Sequence, residues 1–398
     1  DEFKRWDMTV SGETAEQDYR NAFNTFGYIV EIDPFDSKSR GVKRTALGRF
    51  AHENCAYAPV KAGEPVVFYM GDDARGEYVY KFVSKAVWDP KDIGGGLTAG
   101  AKYLDQGTLY VAKFNADGKG SWIELTFGKN GLDASNAIYP FSSQADVLVF
   151  TRLAADAVGA TKMDRPEWVT TSPVTQEVYL TLTNNSNRGK NPSQPLDAAN
   201  PRNYDGTGDG NLNGNHNGHI IRWKEKDNKH TATTFQWDVY LFGAPSNVPA
   251  NVSGLSAMND FSSPDGLLFD ARGALWIQTD DSAYRGTTNC MMLVALPGVV
   301  GDGAMTQIGD VTTYMGAKPS TDNLARFLVG PQECEVTGIT FTPDLKTAFV
   351  SIQHPGENGT RANPTSHWPA SQDDIFARDL PRSGLAVISR KDGGVLLG

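Results

Sequence analysis

The sequence predicts an all-β fold: a β-propeller with long inserted loops and a few short helices, forming one domain over 1–398. Three observations carry that expectation. Short runs rich in β-branched and aromatic residues recur along the chain and end at Gly, Asp, Asn or Pro. One hairpin plan returns at irregular spacing. The 41 Gly and 21 Pro of the 398 residues suit many tight turns.

The strand signals, in order, are GYIVEID (27–33), PVVFYMGD (65–72), YVYKFV (78–83) and GTLYVAKF (107–114). EVYLTLT (177–183), GHIIRW (218–223), FQWDVYLF (235–242), GLLFD (266–270) and ALWIQTD (274–280) follow. GITFTPD (338–344), TAFVSIQ (347–353) and GLAVISR (384–390) complete the set. The best helical signal is 142–161, where apolar residues recur at three- and four-residue steps after a Ser that can cap.

The repeated plan is visible in 168–185, 266–282 and 338–354. An apolar pair leads into a turn, then a strand, then polar residues. That suits the inner hairpin of a propeller blade, and it also suits the hairpins of a sandwich. Two polar insertions interrupt the plan, at 187–219 and 356–374. They lack apolar periodicity and read as loops, and loops this long are usually functional or disordered.

Charge narrows the function. There are 37 basic and 47 acidic residues, a formal charge of −10, which argues against general nucleic-acid binding. No run approaches the apolar length of a membrane helix. The cysteines, Cys55, Cys290 and Cys334, are too few for a disulfide framework, and no CxxC pattern suggests a thiolate zinc site. The chain opens on DEFKRWDMTV, without an initiator Met or signal segment, and reads as beginning inside a larger protein. The propeller is therefore expected to be incomplete at its N-terminal side.

Five segments could carry chemistry. In GRFAHENC (48–55), His52, Glu53 and Cys55 are possible ligands, and Glu53 offers oxygen to a hard cation. A polar strand end would look the same. In MDRPEW (163–168), Pro166 ends the preceding run, and Arg165 and Glu167 share a face of an extended chain. They form either a plain salt bridge or a phosphate-clamping guanidinium beside a metal-holding carboxylate. In SSPDGLLFDARGALWIQTDDS (262–282), Asp265 precedes a strand, where Asp before Gly is also ordinary turn chemistry. Asp280 and Asp281 close the next strand. In GPQECEVTG (330–338), Glu333 and Glu335 flank Cys334, so both carboxylates face one side if extended and would repel without a cation between them. His354 reads as a capping side chain rather than a ligand. DGNLNG (209–214) matches the opening of a calcium loop, but Ile220 stands where the closing Glu belongs. There is no GxSxG, HExxH or GxxxxGK[ST] motif, so serine-hydrolase, zincin and P-loop readings lack support.

Taken together, the strings GRFAHENC, YMGDDARGEYVYKF, DRPEW, EVYLTLTNN, NGHIIRW, SPDGLLFD, CEVTGITFTPD and SIQHPGE resemble the PhoX family of secreted alkaline phosphatases. They occur in the family's order over nearly the whole chain, and RSGLAVISRKDGG is similar to its C-terminus. The resemblance implies a propeller with ferric (Fe3+) and calcium (Ca2+) ions clustered at its channel mouth. It implies hydrolysis of phosphomonoesters, and of some diesters, by a metal-bound oxo or hydroxide group, releasing inorganic phosphate. Glu53 and Glu167 would then ligate metal and Arg165 would bind the substrate phosphate, with Asp265, Glu333 and Glu335 as further ligands. The family's cysteine iron ligand lies in an upstream segment that none of the three cysteines here matches. The family habit also implies small phosphate esters as partners and twin-arginine export to the periplasm or exterior, and a monomer is expected. Alternative readings are a calcium-dependent propeller lactonase or organophosphate hydrolase, or a non-catalytic binding propeller.

Overall fold

The computed structural model describes residues 2–204, 213–280, 288–370 and 380–398. Contacts divide the chain into two compact units. The first comprises Asp1–Asp73, Tyr78–Lys113 and Trp122–Thr161; the second comprises Ala74–Glu77, Phe114–Ser121 and Lys162–Gly398. Most of the DGNLNG turn, and Asp281, lie outside the described residues.

In the first unit, β1 (Val30–Glu31) and β2 (Val42–Lys43) pair antiparallel. A separate antiparallel run follows, in the order β3 (Ala56–Tyr57), β4 (Pro65–Gly71), β5 (Val79–Val87) and β6 (Gly107–Phe114). β7 (Lys119–Glu124), of which only Trp122–Glu124 belongs to this unit, was not foreseen; Gly120 and Ser121 mask its strand character. α1 (Gly96–Leu104), a Gly- and Ala-bearing segment, was also missed. The expected helix over 142–161 is two short helices, α2 (Gln144–Val149) and α3 (Thr151–Ala157). Ser143 caps α2, its side chain accepting from Asp146 N. The break falls at Phe150, whose ring packs 4.6 Å from that of Tyr139. Leu47, Met70, Tyr80, Phe82, Val111 and Val147 form the buried core.

The second unit repeats one antiparallel pattern. β8 (Pro166–Thr171), β9 (Val178–Leu182), β10 (His219–Glu225) and β11 (Thr234–Phe242) lie side by side in sequence order. β12 (Pro264–Phe269), β13 (Leu275–Thr279) and β14 (Met291–Ala295) begin a second sheet. β15 (Ala304–Ile308) and β16 (Val311–Met315) form a hairpin, and β16 touches β11 through Val239 and Met315. β17 (Leu324–Val329) completes the order β12-β13-β14-β17. β18 (Glu335–Phe341), β19 (Thr347–Gln353) and β20 (Gly384–Ser389) make the third sheet.

The three repeated segments are the leading hairpins of these sheets. Their turns close alike, over five, four and five residues: Ser172 N donates to Glu177 O at 2.8 Å, Asp270 N to Ala274 O at 2.9 Å, and Thr342 N to Thr347 O at 2.9 Å. The all-β class holds, and the three- and four-stranded meanders are those of propeller blades.

A buried ion pair ties the first sheet of this unit together. Arg222 on β10 sits opposite Asp238 on β11, with Nε donating to Oδ1 at 2.7 Å. Arg222 Nη2 also reaches Asp302 Oδ1 at 2.7 Å, and Nη1 donates to the Tyr179 hydroxyl at 3.4 Å. Gly301 N donates to Asp238 Oδ2 at 2.7 Å, so the same cluster anchors the connection between β14 and β15.

Candidate functional site

In the second unit, the polar ends of the three leading strands are built alike. Arg165, Ser263 and Glu333 have φ of 55°, 49° and 54°, in the left-handed region that side chains other than glycine rarely adopt. Each stands two residues before a carboxylate: Glu167, Asp265 and Glu335. All three leading strands carry a bulge near that end, between Pro166 and Val169, Pro264 and Leu267, and Thr337 and Ile339. Bulges turn side chains out of the ladder and are common beside functional sites. Left-handed residues held in place by surrounding structure cluster at such sites too. The strings R-P-E, S-P-D and E-C-E are the sequence trace of this repeat.

Glu167 is 1% exposed and Asp265 5% exposed. A carboxylate oxygen of each lies within 4.8 Å of the other. Threonines knit their strands together. Thr181 Oγ1 donates to Asp265 O at 2.6 Å and accepts from Trp168 N at 3.0 Å, and Thr183 Oγ1 donates to Pro264 O at 2.8 Å. Arg165 Nη2 sits 2.8 Å from Glu167 Oε1, and Nη1 sits 3.8 Å from Asp280 Oδ2. The expected Arg165–Glu167 pairing therefore forms, but through a left-handed residue and a bulge rather than an extended chain.

Glu335 accepts from Gln353 Nε2 at 2.7 Å and lies 3.5 Å from His354 Nε2. Burial, and then the Asp280 carboxylate, push its pKa up. Glu333 behaves differently from the expectation of a shared face. Its left-handed backbone breaks the alternation, and its Oε2 accepts from Asn358 N at 3.0 Å and from the Thr365 hydroxyl. It organises the 356–366 loop. His354 does more than cap, because its ring faces Glu335.

Glu53 belongs to the first unit and is exposed, its backbone N donating to Gly71 O at 3.3 Å. Asp72, fully buried, supports this segment: Oδ1 accepts from Ala51 N at 3.1 Å, and Oδ2 accepts from Arg152 Nε at 2.8 Å. The other two candidate ligands of HENC are half-buried. His52 is stacked 3.6 Å from the Phe50 ring, its Nε2 is 3.1 Å from Gly48 O, and burial lowers its pKa to about 4. Burial pushes the Cys55 thiol up to about 12.

Sequence reasoning missed a buried polar network directly behind Arg165. Asp164, fully buried, accepts from Arg188 Nε at 2.7 Å and Asn185 Nδ2 at 2.8 Å on Oδ1, and from Asn215 Nδ2 at 2.9 Å on Oδ2. Asn215 Nδ2 also lies 2.9 Å from His219 Nδ1, while His219 Nε2 lies 2.8 Å from Ala199 O. The ring is thus neutral, with its proton on Nε2 and its Nδ1 accepting. Burial lowers the His219 pKa to about 4. The unfolded chain binds a proton near pH 6.5 that the fold refuses until about pH 4. Stability is therefore expected to fall as pH drops through that window, by roughly 3 kcal/mol at its foot. Chemical denaturation from pH 7 to 4 should show the slope, and His219→Gln should flatten it; an unchanged slope in that variant would assign the loss elsewhere.

No helix among the described residues is long and apolar enough to cross a membrane. A search of curated proteins finds no match. Among solved structures, that of Pseudomonas fluorescens PhoX in complex with vanadate, a transition-state analogue, is similar to this chain at 43% identity and a TM-score of 0.77. The match covers 96% of this chain and 60% of that one, so the chain spans about three fifths of its relative's length. A gluconolactonase of Xanthomonas campestris matches at 11% identity and a TM-score of 0.24, over 81% of this chain and 91% of that one. That likeness is too slight to support any argument. The family model described as alkaline phosphatase PhoX matches residues 1–356, and with the ordered motifs and the 43% identical structure it makes this chain a member of the PhoX alkaline phosphatase family.

Proposed function

We propose that this chain carries an alkaline phosphomonoesterase site. In it Arg165 holds the substrate phosphate, and Glu53, Glu167, Asp265, Glu333 and Glu335 supply carboxylates to calcium and ferric ions. The observation that carries the reading is the Arg165 guanidinium seated 2.8 Å from buried Glu167, whose carboxylate lies within 4.8 Å of Asp265. The donor set fits hard cations, because it is all oxygen. Two buried carboxylates this close also repel unless positive charge lies between them.

Bound cations would neutralise phosphate charge and polarise its oxygens. The chain's own residues do the rest. Arg165 presents a planar fork that can take two phosphate oxygens at once. Glu167 and Asp280 orient that fork from opposite nitrogens. A guanidinium keeps its charge at alkaline pH, where a lysine begins to lose its own. No side-chain nucleophile is required, in keeping with the missing nucleophile motifs. Glu53 and Glu333 enter the ligand set on family resemblance. The same resemblance supports action in the periplasm or outside the cell, and a monomer is the expected state. No observation here favours the lactonase or binding-module readings.

Release of p-nitrophenol from its phosphate ester at alkaline pH, with calcium and iron supplied, tests the activity. No turnover under those conditions would sink it. Elemental analysis is expected to find both metals, and Glu167→Gln or Asp265→Asn to lower the bound metal at least twofold with the fold retained. Calcium without iron, or metal content indifferent to both substitutions, would overturn the ligand assignment.

A further inference from the structure

We infer that Asp164 is a positioning residue for Arg165, and that the asparagine-rich strap 213–219 makes it one. The inference rests on the proposed role of Arg165 in phosphate binding. Arg165 has a left-handed backbone immediately before a proline, a conformation that persists only where neighbours enforce it. What enforces it is visible on both sides. After it, Pro166 enters β8, and Thr183 N donates to Arg165 O at 3.3 Å. Before it, the Asp164 carboxylate is saturated by Arg188, Asn185 and Asn215, so residue 164 cannot turn.

The donors are themselves fixed. Arg188 Nη1 donates to Pro195 O at 2.7 Å and Nη2 to Lys162 O at 2.6 Å, bracketing Asp164 from the same chain. Asn185 and Asn215 exchange backbone hydrogen bonds at 2.7 and 2.9 Å. Gly214 and Gly218 let the strap pass this closely. A Cβ on Gly214 would stand 2.2 Å from Asn185 O, and one on Gly218 would stand 2.1 Å from Thr183 O. Two residues beyond Asn215, Asn217 O accepts from Ser263 N at 2.9 Å. Ser263 is the left-handed residue before Pro264 and Asp265. One strap therefore holds both left-handed turns, the one that aims Arg165 and the one that aims Asp265. A network built only for stability would have no need to end on these two turns.

The test uses the full chain, with p-nitrophenyl phosphate as substrate and orthovanadate as a binding probe. Asp164→Asn is expected to raise KM and the vanadate Kd about tenfold, and kcat by no more than about threefold in either direction, with metal content unchanged. In an Arg165→Ala background the same substitution is expected to leave vanadate affinity unchanged, since the group it positions is gone. If Asp164→Asn fails to fold, Asn215→Ser removes one donor to Asp164 and is expected to show the same pattern at smaller size. A fall in thermal stability with KM and vanadate affinity unmoved would overturn the positioning role and leave the phosphatase reading standing. Equal affinity losses in both backgrounds would overturn it as well. A wild-type chain that neither binds vanadate nor turns over substrate would instead remove the phosphatase reading, and this inference with it.

Discussion

Arg165→Ala is expected to lower kcat/KM for p-nitrophenyl phosphate by roughly a thousandfold, about 4 kcal/mol of transition-state stabilisation. The guanidinium stands 2.8 Å from Glu167 and 3.8 Å from Asp280. In its proposed role, its loss removes a two-point grip on phosphate oxygens whose charge is redistributed as the ester bond breaks. Arg165→Lys keeps a charge but not the fork, and should recover only part of the activity. Guanidinium added in solution should partly restore the alanine variant. The side chain is 23% exposed, so the fold should survive its removal, and circular dichroism checks this. Activity within threefold of wild type would dismiss Arg165 from phosphate binding.

The largest stability effect is expected at Arg222. The guanidinium is fully buried, and it faces Asp238, itself 2% exposed, together with Asp302. Burial raises the pKa of Asp238, while the pairing with Arg222 pulls it back down. Arg222→Ala strands a buried carboxylate and frees the anchor of Gly301. Breaking such a pair from one side costs about 3–5 kcal/mol. Calorimetry should show a Tm lower by about 5–10 °C. The double change Arg222→Met with Asp238→Leu removes both charges and should recover part of the loss. A double variant less stable than the single one would mean that the Gly301 contact, not the ion pair, dominates.

The strands were readable because burial selects aromatic and β-branched residues, and hairpin turns select Gly, Pro and Asp. β8 was hidden because R-P-E reads as a break. Proline is nevertheless tolerated as the first residue of a strand, where no ladder donor is needed. β15 (AMTQI) and β16 (VTTYM) were hidden by their polar residues, and β14 (MMLVA) and β17 (LARFLV) because short apolar runs without alternation do not announce a strand. Among site residues, the pairing of Arg165 with Glu167 was legible from proximity in sequence. The diverging directions of Glu333 and Glu335 were not, because a single positive φ cancels the two-residue alternation.

The all-β class, the three leading hairpins, and the acidic and basic residue types at their polar ends were legible along the chain. These follow from local pattern, since composition and turn chemistry act over a few residues. Tertiary structure alone decided that Asp265 meets Glu167, and that Asp164, Arg188, Asn215 and His219 form one network. Arg188 and Asn215 lie 24 and 51 residues from Asp164 in the chain, and Asp265 lies 98 from Glu167. Only the register of neighbouring sheets, and a strap threaded at two glycines, brings them together.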